Sequence, residues 1–330
     1  MKLRLSVLDQ SPITAGSNPR QAIRESEALV RLTDRLGYTR YWVSEHHNIT
    51  SLAGSTPEVL IAHLAGESER IRVGSGGVML PNHSALKVAE NFRMLETLFP
   101  GRIDLGMGRA PGGDRVTAML LNPSNRFDER EFVQQLIDLR GFLRDEAEPG
   151  SVHERVKAIP QSPTVPELWL LTSSGESALL AAHLGMGLSF ARFINPQGDI
   201  DAIRNYKERF NPSKELSRPA ASIGIFVLCA ETEAKAAGLQ AFLDYRLLNI
   251  EKGIREHRDL PDPVHYSDAE RERIRYNRGR MVAGTPEVVK AQLTAIAQSA
   301  GVDEIVATTI TEKFEDRVRS YELLAEAFGL

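Results

Sequence analysis

The chain of 330 residues has one cysteine, Cys229, so no disulfide can form within it. Its fold must rest on burial of apolar surface, which a chain of this length can supply without crosslinks. The single thiol also fits a reducing, cytoplasmic setting. Net charge is nearly absent: 40 basic against 44 acidic residues leave a formal −4. That balance argues against a nucleic-acid binder, which carries a basic excess or stripe. Long apolar runs are missing too. No stretch reaches the roughly 18 residues a membrane span needs, and the start of the chain lacks the h-region of a secretory signal. Several phosphate and metal signatures are absent: G-x-x-x-x-G-K-[ST], G-x-G-x-x-G after the first strand, and H-E-x-x-H. A nucleotide hydrolase and a metal site are thereby disfavoured.

Alternation is what the chain has in abundance. Short apolar runs at 3–8, 40–44, 71–80, 103–107, 168–171, 187–193, 222–229 and 304–310 read as strands. Between them lie helical patterns, among them 19–36, 84–98, 128–143, 199–209 and 314–328. Thr56-Pro57-Glu58 and Thr285-Pro286-Glu287 repeat one helix start: a capping hydroxyl, proline in the first turn, and a carboxylate at the positive end. Eight strand–helix units predict a parallel sheet covered by helices, and eight is the count that closes a (β/α)8 TIM barrel. A doubly wound open sheet is the alternative. Residues 110–125 read as a long loop. Residues 251–284 read as an insertion or mobile segment in an otherwise single domain spanning 1–330.

In a barrel the strands' carboxyl ends share one mouth, and the chemistry-bearing residues fall there. The stretch GRIDLGMGRAPGGD, from Gly101, ends a strand at Arg109 and continues through glycines that permit close approach to a ligand. A guanidinium fork at that place suits a phosphate; pairing with Asp114 is the plainer reading. Ser173, Ser174 and Ser177 open a helix whose N–H groups and hydroxyls would face an anion; ordinary capping is the plainer reading there. In Glu45-His46-His47, adjacent imidazoles on extended chain point apart and would not share a metal. No metal is expected, and one histidine at a strand end can move protons near neutral pH. Gly74, Gly76 and Gly77 within a strand mark a bulge or a place where a flat ring could lie. Met79, Met107 and Met119 could line an apolar pocket or fill the core. Cys229 reads as core.

Taken together, YWVSEHH, RVGSGGVMLPNH, GRIDLGMGRAPGGD, LLTSSGESALLAAHLG and GTPEVVKAQL resemble the bacterial luciferase-like flavin-dependent monooxygenases, in the family's order and over nearly the whole chain. The resemblance implies a (β/α)8 barrel. It implies FMN, reduced by a separate NAD(P)H-dependent flavin reductase, which meets dioxygen to give a C4a-peroxyflavin that oxidises a small organic substrate. It also implies a homodimer. Carried over by residue, His46 matches the histidine beside the reactive flavin carbon. Gly76 and Gly77 match the pair that packs on the ring system, joined in relatives by a non-prolyl cis bond. Arg109 matches the phosphate-binding arginine, Arg126 falls near a second, and Ser173, Ser174 and Ser177 fall on the phosphate-binding loop. Gly108 stands where the luciferases carry a reactive cysteine, so light emission is not implied. Two alternatives remain: an F420-dependent hydride-transfer enzyme of the same superfamily, and a flavin-binding protein without catalysis.

Overall fold

The structure, a computed structural model, describes residues 3–110, 112–126, 128–146, 152–254, 256 and 258–330. Pro111 of the glycine-rich loop lies outside them. Among the described residues nine strands form, all parallel: β1 (Arg4–Asp9), β2 (Arg40–Val43), β3 (Arg72–Met79), β4 (Ile103–Gly108) and β5 (Glu167–Thr172), then β6 (Gly187–Ala191), β7 (Ala221–Cys229), β8 (Met281–Gly284) and β9 (Glu304–Thr308). Pairing runs β6-β5-β4-β3-β2-β1-β9-β7, and β7 returns to β6, so eight strands close a barrel. The expected (β/α)8 TIM barrel is the observed fold.

The ninth strand was not expected. On one side of β7, β6 pairs with residues 221–224; β8 then pairs with residues 226–229. Phe226 faces Met281 on that side and Thr308 of β9 on the other. Four residues of β8 therefore extend an edge that β6 leaves bare, which gives the N–H and C=O groups of β7 partners they would otherwise lack. Within 251–284 the structure also builds a helix, Asp268–Arg278. It is opened by a capping box in which Ser267 and Glu270 satisfy each other's backbone N–H.

Helix starts differ in detail from expectation. Thr56 and Thr285 precede prolines at the start of helices Pro57–Gly66 and Pro286–Ala300, but neither hydroxyl makes a cap hydrogen bond. Residues 110–125 are not all loop. Asp114 accepts from the Thr117 N–H at 3.0 Å and starts a helix, Arg115–Leu121. The aspartate supplies the acceptor that the first turn requires.

The barrel interior is layered from the amino ends of the strands upward. At the bottom, buried Arg40 donates to Glu304 Oε1 and Asp104 Oδ2, each at 2.7 Å, and Arg72 Nε donates to Asp104 Oδ1 at 2.7 Å. The Arg40 guanidinium lies 4.7 Å from the centre of the Trp169 ring. Trp42 and Trp169 meet edge to face above it, with centroids 5.6 Å apart, and Trp42 Nε1 donates to Asp104 at 2.9 Å. Leu8 and Leu171 complete this layer and form the floor of the space above. The larger apolar core lies between strands and helices. No helix among the described residues is long and apolar enough to cross a membrane.

Candidate active site

Above that floor opens a cavity of about 990 Å³, lined from the carboxyl ends of β1 through β6 and the segments that follow them. This is the upper end of the size range for small-molecule sites. His46, Gly76, Arg109, Arg126, Ser173, Ser174 and Ser177 all line it. Gly77 does not. A β-carbon there would stand 2.8 Å from the Gly106 carbonyl oxygen, toward β4 rather than the cavity. At Gly76 a β-carbon would stand 2.8 Å from Leu8 Cδ1 and 2.9 Å from Trp42 Cβ. The two glycines are joined by a cis peptide, and the β3–β4 register shifts between Ser75 and Val78. Asp9, the last residue of β1, is buried and does not line the cavity. It accepts from the Ser11 N–H at 2.7 Å, from Tyr41 Oη at 2.6 Å and from Arg317 at 2.5 Å.

His46 follows β2, with its backbone N–H held by the Gly54 carbonyl at 2.8 Å. Ser44 Oγ lies 3.1 Å from Nδ1, which leaves Nε2 for the cavity. Burial pulls the imidazole down from its ordinary value of 6.5 to about 4, and the neighbouring His47 adds to that pull. The ring is therefore neutral at pH 7, with one nitrogen a donor and the other an acceptor.

His47 points away from His46, as alternation along extended chain requires. Its Nε2 meets buried Glu45 Oε1 at 2.7 Å; His83 Nε2 meets the same oxygen at 2.8 Å, and the Met79 N–H donates to Oε2 at 2.8 Å. Burial alone would raise the Glu45 carboxyl, but hydrogen bonds from His83 and His47 hold it below the ordinary carboxylate range. Burial opposes and Glu45 overrides it at His83, whose imidazole is raised. Ligand-type atoms of Glu45, His47 and His83 lie within 4.8 Å of one another. Hydrogen bonding to one carboxylate accounts for that closeness. The cluster ties the ends of β2 and β3 together, and the His47 N–H donates to the Gly112 carbonyl at 2.9 Å, which fastens the loop after Arg109.

Arg109 is half exposed at the mouth, and its ion pair is with Glu176, at 3.7 Å. Asp114 is engaged elsewhere, with the Thr117 backbone and with Asn48 Nδ2 at 2.9 Å. So long and exposed a pair as Arg109–Glu176 contributes little to stability, and the guanidinium remains available to a ligand. Ser174 is the N-cap of helix Gly175–Leu184, yet its side chain makes no cap hydrogen bond. Thr172, a lining residue with no signal in the sequence, shapes this turn. Its Oγ1 donates to the Ser174 carbonyl at 2.8 Å and accepts from the Ser174 N–H at 3.0 Å. Ser173, Ser174 and Ser177 line the cavity at this helix start, and the Ser174 hydroxyl, 3.5 Å from Thr172 Oγ1, is not spent on capping the first N–H groups.

Leu8, Met79, Met119, Leu171 and Phe193 supply apolar lining. Met107 is buried in the core instead. Cys229 is also core, its thiol pushed up to about 12 by burial. The donor set suits a flat apolar group bearing an anionic tail: an apolar floor, a neutral imidazole beside it, and two arginines with a serine turn at the same cavity's edge.

A closed barrel whose polar cavity residues gather at the strands' carboxyl ends defines the general class, a (β/α)8 TIM-barrel protein. The sequence pattern of the luciferase-like monooxygenases matches residues 1–304, and the chain belongs to that family. It is 50% identical to the Bacillus subtilis protein YwcH over 98% of this chain and 99% of that one. It is 34% identical to the N-acetyl-S-alkylcysteine monooxygenase of Bacillus subtilis, over 98% of each chain. Among solved structures, apo-MsnO8 superposes with a TM-score of 0.89 at 36% identity, over 99% of each chain. Two more distant structures share the fold alone. They are the oxygenating constituent of 3,6-diketocamphane monooxygenase in complex with FMN (17% identity, TM-score 0.73, 99% of this chain and 97% of that one) and an F420-dependent secondary alcohol dehydrogenase (12%, 0.71, 99% of each). The family's activity is that of an oxidoreductase, with monooxygenases among its named members.

Proposed function

We propose that the protein is an FMN-dependent monooxygenase that takes reduced FMN from a separate NAD(P)H-dependent reductase and oxidises a small organic molecule with dioxygen. One observation carries the reading: Arg109, Arg126 and the Ser173–Ser174–Ser177 turn line the same cavity as His46. When bound, the reduced flavin would supply the electrons for activating dioxygen. The chain's own residues have narrower tasks. Arg109 and Arg126 neutralise the phosphate; the serine turn donates to it through hydroxyls and backbone N–H groups. Gly76 leaves room for the ring, and Leu8, Met79 and Phe193 keep water from its face. His46, neutral at pH 7, holds or passes a proton at Nε2, with its orientation fixed through Ser44.

The same proposal takes the protein to be a cytoplasmic homodimer built from one domain, with 251–284 as an excursion beside the barrel. Exposed Val59, Met94 and Leu98 on helices Pro57–Gly66 and Ala85–Leu98 support a covered face there. Parallel titrations with FMN and F420, in oxidised and reduced forms, test the cofactor. Tighter binding of FMN is expected. Tighter binding of F420 would replace monooxygenation by hydride transfer.

A further inference from the structure

The cavity carries more positive charge than a flavin phosphate needs. Three arginines line it, Arg109, Arg115 and Arg126, against one acidic residue, Glu129. In the reading above two of them, with the serine turn, face the phosphate. Arg115 has no ion-pair or hydrogen-bond partner for its guanidinium among the described residues. Its position makes this more telling. It is the first residue of helix Arg115–Leu121, where the backbone's positive end disfavours a cation. The same short helix buries only Ala118, and leaves Val116, Met119, Leu120 and Leu121 exposed. A segment with a cation at the wrong end and its apolar side chains uncovered is poorly arranged for its own stability. Ala118 and Met119 line the cavity beside Arg115.

We propose that Arg115 and Met119 form a second subsite for the substrate, which is a monocarboxylate with an apolar chain: the carboxylate sits on the Arg115 guanidinium and the chain lies along Met119 and Ala118. A guanidinium fork matches a carboxylate with two parallel hydrogen bonds. A flexible thioether accommodates chains of differing shape. The proposal rests on the flavin reading, since it assigns the remaining arginines to the phosphate.

The test uses the full chain saturated with FMN and a pair of probes of equal shape, hexanoate and hexanamide, titrated by calorimetry. Hexanoate is expected to bind about tenfold more tightly, as one charge-assisted contact at a partly open site would give. Arg115→Gln should abolish that preference and Arg115→Lys should keep part of it, while FMN affinity stays unchanged in both. Met119→Ser should weaken both probes alike. Equal binding of the two probes, or no binding of either, overturns the subsite. So does a preference that survives in Arg115→Gln. A loss of FMN affinity in Arg115→Gln would return this arginine to the phosphate. If FMN itself fails to bind while the hexanoate preference persists in the free protein, the subsite stands and the flavin reading falls.

Discussion

Replacing Arg109 by methionine keeps the length of the side chain and removes its charge. If the guanidinium grips a phosphate, the loss falls on ligands that carry one. Hydrogen bonds to charged groups contribute about 1.5–3 kcal/mol net. The Arg109 side chain is 41% exposed and already lies 3.7 Å from Glu176, so the low end applies. About 1.4 kcal/mol is a factor of ten, and the dissociation constant of FMN should rise roughly tenfold. Riboflavin, which has the ring but no phosphate, should bind the variant and the parent equally. Ser174→Ala removes a neutral donor and should cost FMN about 1 kcal/mol, roughly fivefold. Quenching of flavin fluorescence at fixed ionic strength reads both affinities. The double variant should lose less than the sum, because the two groups share one ligand. Equal weakening of FMN and riboflavin by Arg109→Met, or no weakening of either, would refute the assignment.

Three other perturbations probe different parts of the molecule. His46 titrates near 4 in the folded chain and near 6.5 when unfolded. Stability is therefore lost as pH falls from 6.5 toward 4, by no more than about 3.4 kcal/mol at about 1.36 kcal/mol per unit. Denaturation profiles of His46→Asn should be less acid-sensitive than those of the parent, and activity limited by the neutral imidazole should hold down to about pH 5. Arg40→Met takes the buried guanidinium away from Asp104 and Glu304, leaving Asp104 to Arg72 and Trp42 and Glu304 to Ser6 and Arg4; urea unfolding should find it less stable by about 3 kcal/mol, the low end for breaking a buried pair. Gly76→Ala pushes a methyl against Leu8 and Trp42; calorimetry should record a loss of about 1–3 kcal/mol, and FMN titration a weakened site.

The barrel was legible because each of its eight strands is a short apolar run closed by turn residues, and a helix-period pattern follows nearly every one. β8 was not legible because Met281–Gly284 follows directly on the charged helix Asp268–Arg278 and runs straight into the Thr285-Pro286 helix start, so no separate apolar run stands out. The helix Arg115–Leu121 escaped because its cap, Asp114, sits at the end of a glycine-rich loop and its apolar residues are largely exposed. Nothing local marks Arg40, the first residue of its strand, as buried; only closure of the barrel brings Asp104, Glu304 and Trp169 around it. At the site, Arg109 and the serines announced themselves by residue type and by their place at strand ends. The direction of Gly77 could not be read, since a register shift in β3 intervenes. Nor could the Thr172 turn, whose hydroxyl acts through backbone atoms two residues away, or the meeting of His83 with His47 on Glu45, since His83 lies far along the chain from both.

A crystal structure of the chain with FMN bound is the most direct measurement. The account predicts the phosphate within hydrogen-bond distance of Arg109 and Ser174, with the ring system over Gly76 and beside His46. FMN lodged elsewhere, or in this cavity with its phosphate turned away from Arg109 and the serine turn, would contradict it.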